Sequence, residues 1–195
     1  MKALLLAAAA VTMSGQALEL AVGGGQTRLF NAGLGKLSAS SPRKDDYGLK
    51  GAFRLVFRMT TNSGDHFGHE FGYAYNRTQL VQFADAGSTG TGMATHQGFY
   101  DYLAYATREG SKVRPFAAGG FHFNNYVPPG QSATQGGGTT KFGVNYGGGI
   151  KFRLSENWMF RIDARQYVNP KPNWLVNPGG WIRMNEVSAS VAFVL

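Results

Sequence analysis

The stretch FGVNYGGGIKFRLSENWMFRIDARQYV, residues 142–168, decides how the rest of the chain is read. Two runs with an apolar residue at every second position flank a short polar turn. On an extended strand successive side chains point to opposite faces. Phe142, Val144, Tyr146, Gly148, Ile150, Phe152 and Leu154 therefore share one face of the first run, with Lys141, Asn145, Lys151, Arg153 and three glycines on the other. The second run sets Trp158, Phe160, Ile162 and Ala164 against Arg161, Asp163, Arg165 and Tyr167. In a water-soluble barrel the charges would be wet and the rings buried. In a membrane barrel the rings meet lipid and the charges turn inward.

The same pattern extends along the chain. Alternating segments are read at 18–30, 49–60, 66–80, 95–108, 113–126, 141–154, 158–168 and 181–195, each of the length and texture of a transmembrane barrel strand. The connections alternate too. TNSGD (61–65), EGSK (109–112) and SEN (155–157) are tight hairpin turns, whereas 31–48, 81–94, 127–140 and 169–180 are longer loops rich in Gly, Pro and Ser. Short turns at one end and long loops at the other predict an all-β fold: an eight-stranded, antiparallel, up-and-down transmembrane barrel. The 95–108 segment is ambiguous, because Asp101 belongs on a polar face that Leu103 would then share.

The amino-terminal MKALLLAAAAVTMSGQA reads as an export signal: one cation, Lys2, an apolar run, and small residues Gly15 and Ala17 before a cut after Ala17. The division is then 1–17 signal peptide and 18–195 barrel domain. There is no cysteine, so disulfides and thiolate chemistry are excluded. Charged residues make up only 15% of the chain and glycines number 28, whereas soluble domains carry about a quarter charged residues. The pI of 9.8 suits phosphate-rich lipopolysaccharide better than nucleic acid, which an exported chain does not meet.

Alternation by itself does not orient the faces. Three features favour the apolar face outward. Tyr73, Tyr75, Tyr100, Tyr102, Tyr146, Trp158 and Trp181 fall near segment ends, where an aromatic girdle sits at the membrane interfaces. The polar faces carry both signs, Glu19, Glu70, Asp101, Asp163 and Glu186 against Lys50, Arg54, Arg58, Arg114, Lys151, Arg153, Arg161 and Arg165, as an ion-paired lumen requires. Interspersed glycines leave room for long side chains in so narrow a barrel. Ile150 and Val191 are then expected near mid-height in lipid.

RPFAAGGFHFN (114–124), followed by the opening stretch, resembles the bacterial outer-membrane β-barrel family of OmpA- and OmpX-like eight-stranded proteins. The resemblance rests on an Arg-Pro-aromatic strand start, two Gly-rich strands, a tight turn with Asn and Trp, and an Arg-bearing strand ending in Tyr. It implies an outer-membrane location in a Gram-negative-type cell envelope. It also implies partners in membrane lipids, lipopolysaccharide and the barrel-assembly machinery, which reads the last strand. Family members usually finish on an aromatic residue; this chain finishes VAFVL, with Phe193 and Leu195 on the apolar face.

Nothing in the motifs demands catalysis, a cofactor or a metal. GLGKLS (33–38) lacks the first glycine of a phosphate loop, since Phe30 stands in its place. In HFGHE, His66 and His69 point to opposite faces of a strand. His96, Asp85 and Ser88 surround one loop and would loosely suit a lipid A-modifying enzyme. The loop NPKPNWLVNPGG (169–180) offers Trp174 and Leu175 as an apolar contact for a surface ligand. A structural or surface-interaction role with a plugged lumen is expected. A narrow ion or small-solute channel, a lipid A-modifying enzyme and a secreted lipocalin-like barrel are the alternatives.

Overall fold

The computed structural model describes residues 17–176 and 180–195; the segment 1–17, expected as an export signal, lies outside them apart from Ala17. The strands in chain order are β1 (Leu18–Phe30), β2 (Gly33–Gly35), β3 (Tyr47–Lys50), β4 (Phe53–Ser63), β5 (Phe67–Ala84), β6 (Gly87–Tyr105), β7 (Val113–Val127), β8 (Thr139–Arg153), β9 (Trp158–Pro170) and β10 (Trp181–Val194). β3 and β4 follow one another along the same neighbour, β5, and form a single stave. β2 is a short loop strand paired only to β3. The remaining neighbours follow chain order, and β1 pairs β10 from Glu19↔Val194 to Phe30↔Arg183, closing an eight-stave antiparallel barrel. Closure leaves the staves no free edge, so their backbone polar groups are paired within the wall.

Two boundaries differ from the sequence reading. The segment 81–94 is not a loop: β5 and β6 continue as one hairpin to Ala84↔Gly87, around a two-residue turn with Gly87 at φ 127°. Its Gly, Ser and Thr residues read as loop chemistry, but cross-strand pairing carries the ladder past the barrel rim. The second stave is broken at Gly51 and Ala52, which belong to no strand. That break shifts the alternation by one position. Lys50 and Arg54, four residues apart and expected on one face, therefore point to opposite sides, Lys50 exposed and Arg54 buried.

Elsewhere the two faces hold their phase. Val22, Phe57, Phe71, Val144, Ile162, Val187 and Val191 are exposed on the outer wall, while Glu19, Arg58, Glu70, Lys151, Asp163 and Glu186 are buried inside. Asp101 and Leu103 both face inward, which resolves the ambiguous segment: Leu103 packs with Tyr105, Phe116 and Ala118 in an apolar cluster at the short-turn end of the lumen. A second interior cluster, Leu34, Leu49, Met93, Tyr126 and Ile182, lies at the long-loop end. Between these apolar layers sits the polar middle.

Candidate functional site

The lumen buries five cations and five carboxylates: one network of Arg54, Arg58, Arg161 and Arg165 with Glu70, Asp101, Asp163 and Glu186, and a separate pair, Lys151 with Glu19. Glu70 on β5 is the hub. It receives Arg161, Arg165 (2.6 Å) and the Thr60 hydroxyl (3.0 Å), and Arg58 Nε lies 3.6 Å away. Asp163 on β9 accepts from Arg161 (2.9 Å) and Arg58 (3.1 Å), with Arg165 Nε at 3.3 Å. Asp101 takes Arg165 and Asn145. Glu186 pairs with Arg54 at 2.9 Å and with Arg58 at 3.3 Å. Nearer the short turns, Lys151 donates to Glu19 (2.5 Å) and to the Tyr105 hydroxyl (2.8 Å), and Asn62 also donates to Glu19 (2.9 Å).

The opening stretch explains how this fits. A side chain at Gly147 would overlap Ala164 O and come within 3.0 Å of Arg165 Cγ, and one at Gly149 would lie 2.6 Å from Asp163 Cβ. These glycines are the space that the β9 side chains occupy. Rings complete the packing: Arg161 stands over Phe116 (4.4 Å to the centroid), Arg165 over Phe99 (5.5 Å) and Arg54 over Tyr167 (4.8 Å). The guanidinium faces that make no hydrogen bonds thus meet aromatic faces.

Three of the cations assigned to the lumen from sequence form no ion pair with these ten charges: Arg114 and Arg153 keep the inward phase at the short-turn mouth, and Lys50 leaves the lumen. Arg114 is buried at the short-turn end, over the Tyr105 ring (3.5 Å), donating to Asp65 O (2.8 Å) and 3.6 Å from Glu109. Arg153 is half-buried and reaches the turn carbonyl of Glu156 (3.4 Å). Lys50 is on the outer wall, for the reason given by the Gly51–Ala52 break. Sequence reading also missed an uncharged polar layer above the network. His122 and Asn124 both reach Asn169 (3.3 and 2.8 Å), and Asn169 in turn donates to the Tyr126 hydroxyl (2.9 Å). Strict alternation on β7, which places His122, Asn124 and Tyr126 on one face, was the available signal.

Above this layer the loops build a recess of about 680 Å³, whose walls include Leu34, Leu37, Tyr47, Leu80, Trp174 and Leu175, with no charged residue in the lining. Its walls are tied together. Lys36 and Val176 exchange backbone hydrogen bonds (3.0 and 2.9 Å), and Trp174 Nε1 donates to the Thr139 hydroxyl (2.6 Å). Trp174 and Leu175, expected as an exposed tip, are folded inward and half-buried, Trp174 edge-on to Tyr126. In the first long loop Asp46 accepts from the Ser41 hydroxyl and the Leu37 amide, both at 2.7 Å. These bonds, with nearby Arg43, hold its carboxyl below the usual carboxylate range.

The aromatics expected as a girdle separate into two groups. Trp158, stacked edge-on against Phe193, and Trp181 stand at opposite ends of the outer wall. Tyr102, Tyr100, Tyr73 and Tyr75 instead climb β5 and β6 as a ladder, with hydrogen bonds between Tyr100 and His69 (2.7 Å) and between Tyr73 and His96 (2.6 Å), and Tyr146 donates to Gln166 on β9. His96 is thus committed to the outer wall, while Asp85 pairs with Arg43 at the hairpin tip and Ser88 lies exposed beside it. Those three do not converge. Among the described residues no group of three or more His, Cys, Asp or Glu side chains gathers to hold a metal.

Comparison with known proteins supplies the remaining observations. A family model described as the outer membrane protein beta-barrel domain matches residues 3–193. The barrel is similar to the outer membrane protein OprG of Pseudomonas aeruginosa, with a TM-score of 0.68 at 11% identity, covering 93% of this chain and 96% of that one. It is similar to Neisserial surface protein A (0.59, 15% identity, 92% and 99% coverage) and to the N-terminal β-barrel domain of Pseudomonas aeruginosa OprF (0.53, 13%, 92% and 97%). At these identities the likeness shows the fold. No curated protein sequence matches the chain. A closed eight-stave barrel with an apolar outer wall and an ion-paired interior, matched along nearly its whole length, is thereby placed: the chain belongs to the outer membrane β-barrel protein family and resides in the bacterial outer membrane.

Proposed function

We propose that this barrel is a sealed surface-interaction protein, which works through its extracellular loop end and not as a pore. One observation carries the reading: an ion-paired lumen, overlaid by the uncharged layer of His122, Asn124 and Asn169, lies beneath a preformed, uncharged recess. Four cations and four carboxylates, with Leu103, Tyr105, Phe116 and the ion pair of Lys151 with Glu19 below them, fill the axis of an eight-stave barrel, which is narrow enough for side chains to close it. The recess is within the range of small-ligand sites and has apolar walls with Gln82, Thr91 and Thr139 among its polar groups, so it suits an apolar group with a hydrogen-bonding end. Residues 1–17 serve as the export signal and 18–195 as the working barrel. β10, with Phe193 and Leu195 outward, is the strand offered to the assembly machinery.

The test uses the refolded barrel in vesicles. Planar-bilayer recordings are expected to show no sustained current. An apolar fluorescent probe such as N-phenylnaphthylamine should bind wild type and lose most of its affinity in Trp174→Ala. Large steady currents would overturn the sealed-barrel reading. Probe binding that is unaffected by Trp174→Ala and by deletion of 171–176 would remove the recess from the account.

A further inference from the structure

The excess positive charge is not spread evenly. All eleven Asp and Glu side chains lie among the described residues. Five face five cations in the lumen, and the short-turn end is also near balance, with three carboxylates and four cations. The long-loop end holds nine Lys and Arg against only Asp45, Asp46 and Asp85. In this family the long loops are extracellular, so the net charge of the barrel is concentrated at the outer leaflet.

Four of those cations sit on the outer wall itself, on adjacent staves: Arg183 on β10, Arg28 on β1, Lys50 on β3 and Arg77 on β5. All four are exposed, and none has an ion-pair partner among the described residues. Arg183 lies opposite Phe30, and the Arg28 guanidinium stands 5.3 Å over that same ring. Gly51 is so close to Thr27 O and Arg28 Cα that any side chain there would overlap them, which brings Lys50 against β1. Lys50 is opposite Gln79, and Arg77 is one outward position below Gln79. Exposed amides sit beside the cations, Gln79 opposite Lys50 and Asn185 opposite Arg28, with Asn185 Oδ1 accepting from Gln166 (2.7 Å) and its amide N–H groups still open. Toward the membrane the wall becomes apolar, with Phe53, Val22 and Phe57.

We infer that Arg28, Lys50, Arg77 and Arg183 form a binding site for the phosphate groups of a phosphorylated glycolipid of the outer leaflet. Guanidinium forks bind phosphate oxygens in paired hydrogen bonds, and lysine adds a point charge. Gln79 and Asn185 are suited to sugar hydroxyls. The position selects the class of ligand. An anion held here has its charge just above the apolar wall and its chains beside it, which describes an anchored lipid and not a soluble acidic partner.

The test compares three folded barrels in zwitterionic nanodiscs: wild type, the wall variant R28Q/K50Q/R77Q/R183Q, and the loop variant K36Q/K44Q/K141Q/K171Q, which has the same net charge. Discs are doped with lipid A, with lipid A stripped of its phosphates, or with phosphatidylglycerol, and retained lipid is counted by native mass spectrometry. Heat-modifiable gel migration verifies that each variant is folded. Wild type and the loop variant should retain lipid A about tenfold or more above the wall variant, with retention falling as salt is raised. Equal retention by wild type and wall variant would overturn the site. Equal binding of the dephosphorylated lipid or of phosphatidylglycerol would overturn the assignment to a phosphorylated glycolipid.

Discussion

Glu70 has no substitute in its setting: Arg161, Arg165 and Thr60 all donate to it, and Arg58 stands close by. Replacing it by glutamine keeps the volume but leaves buried guanidinium charge unopposed, and breaking a buried pair from one side costs about 3–5 kcal/mol. Glu70→Gln is therefore expected to lower stability by that order in urea unfolding from vesicles. Arg153→Gln, which loses one long bond to a turn carbonyl, should change it by less than about 1 kcal/mol. A Glu70→Gln barrel as stable as wild type would mean that the lumen is wet enough to screen its own charges. Outside the membrane, Asp46 gives a pH signature. Its carboxyl is held low by Ser41, Leu37 and Arg43, so its contribution is present above the ordinary value of 3.8 and is lost as pH falls through the lowered one. Protection of the Leu37 amide from hydrogen exchange should persist at pH 5 and disappear on stronger acidification. In Asp46→Asn that amide should exchange at the same reduced protection throughout.

At the scale of strands, β10 shows how the wall is graded. With Trp181 at one end and Phe193 against Trp158 at the other, its midpoint is Val187, 60% exposed; Val191, expected near mid-height, is close to the short-turn end. Val187→Arg should thus cost about 2–4 kcal/mol, and Leu195→Arg about 0–1 kcal/mol, in the same unfolding assay. Equal costs at the two positions would contradict the depth assignment. The alternation that places these residues was legible in the sequence because a period of two survives wherever the ladder is unbroken. It failed at Lys50, because two unpaired residues, Gly51 and Ala52, shift the phase without altering composition. It failed at 81–94, where Gly, Ser and Thr are equally at home in a turn and in a paired hairpin. The site was legible to a similar degree. Arg54, Arg58, Arg161 and Arg165 announced their inward face by phase, and ten of the thirteen lumen charges meet. Their rings, Phe99, Phe116 and Tyr167, and the recess around Trp174 depend on contacts between distant segments, which no local pattern encodes.

For the whole molecule, two surfaces of opposite character are fixed by one topology. The barrel keeps its charges balanced along the axis, its apolar side chains on the wall, and its surplus cations at the extracellular rim. The chain has no cysteine, so single cysteines introduced along β10 report one position each. Spin labels at successive positions 183–193, in vesicles, should alternate strictly. From 187 onward the odd positions should be open to oxygen dissolved in lipid and closed to a water-soluble nickel reagent, and the even positions closed to both. Even positions that meet oxygen, or odd positions that meet the aqueous reagent along the whole strand, would contradict the inward orientation of the charges.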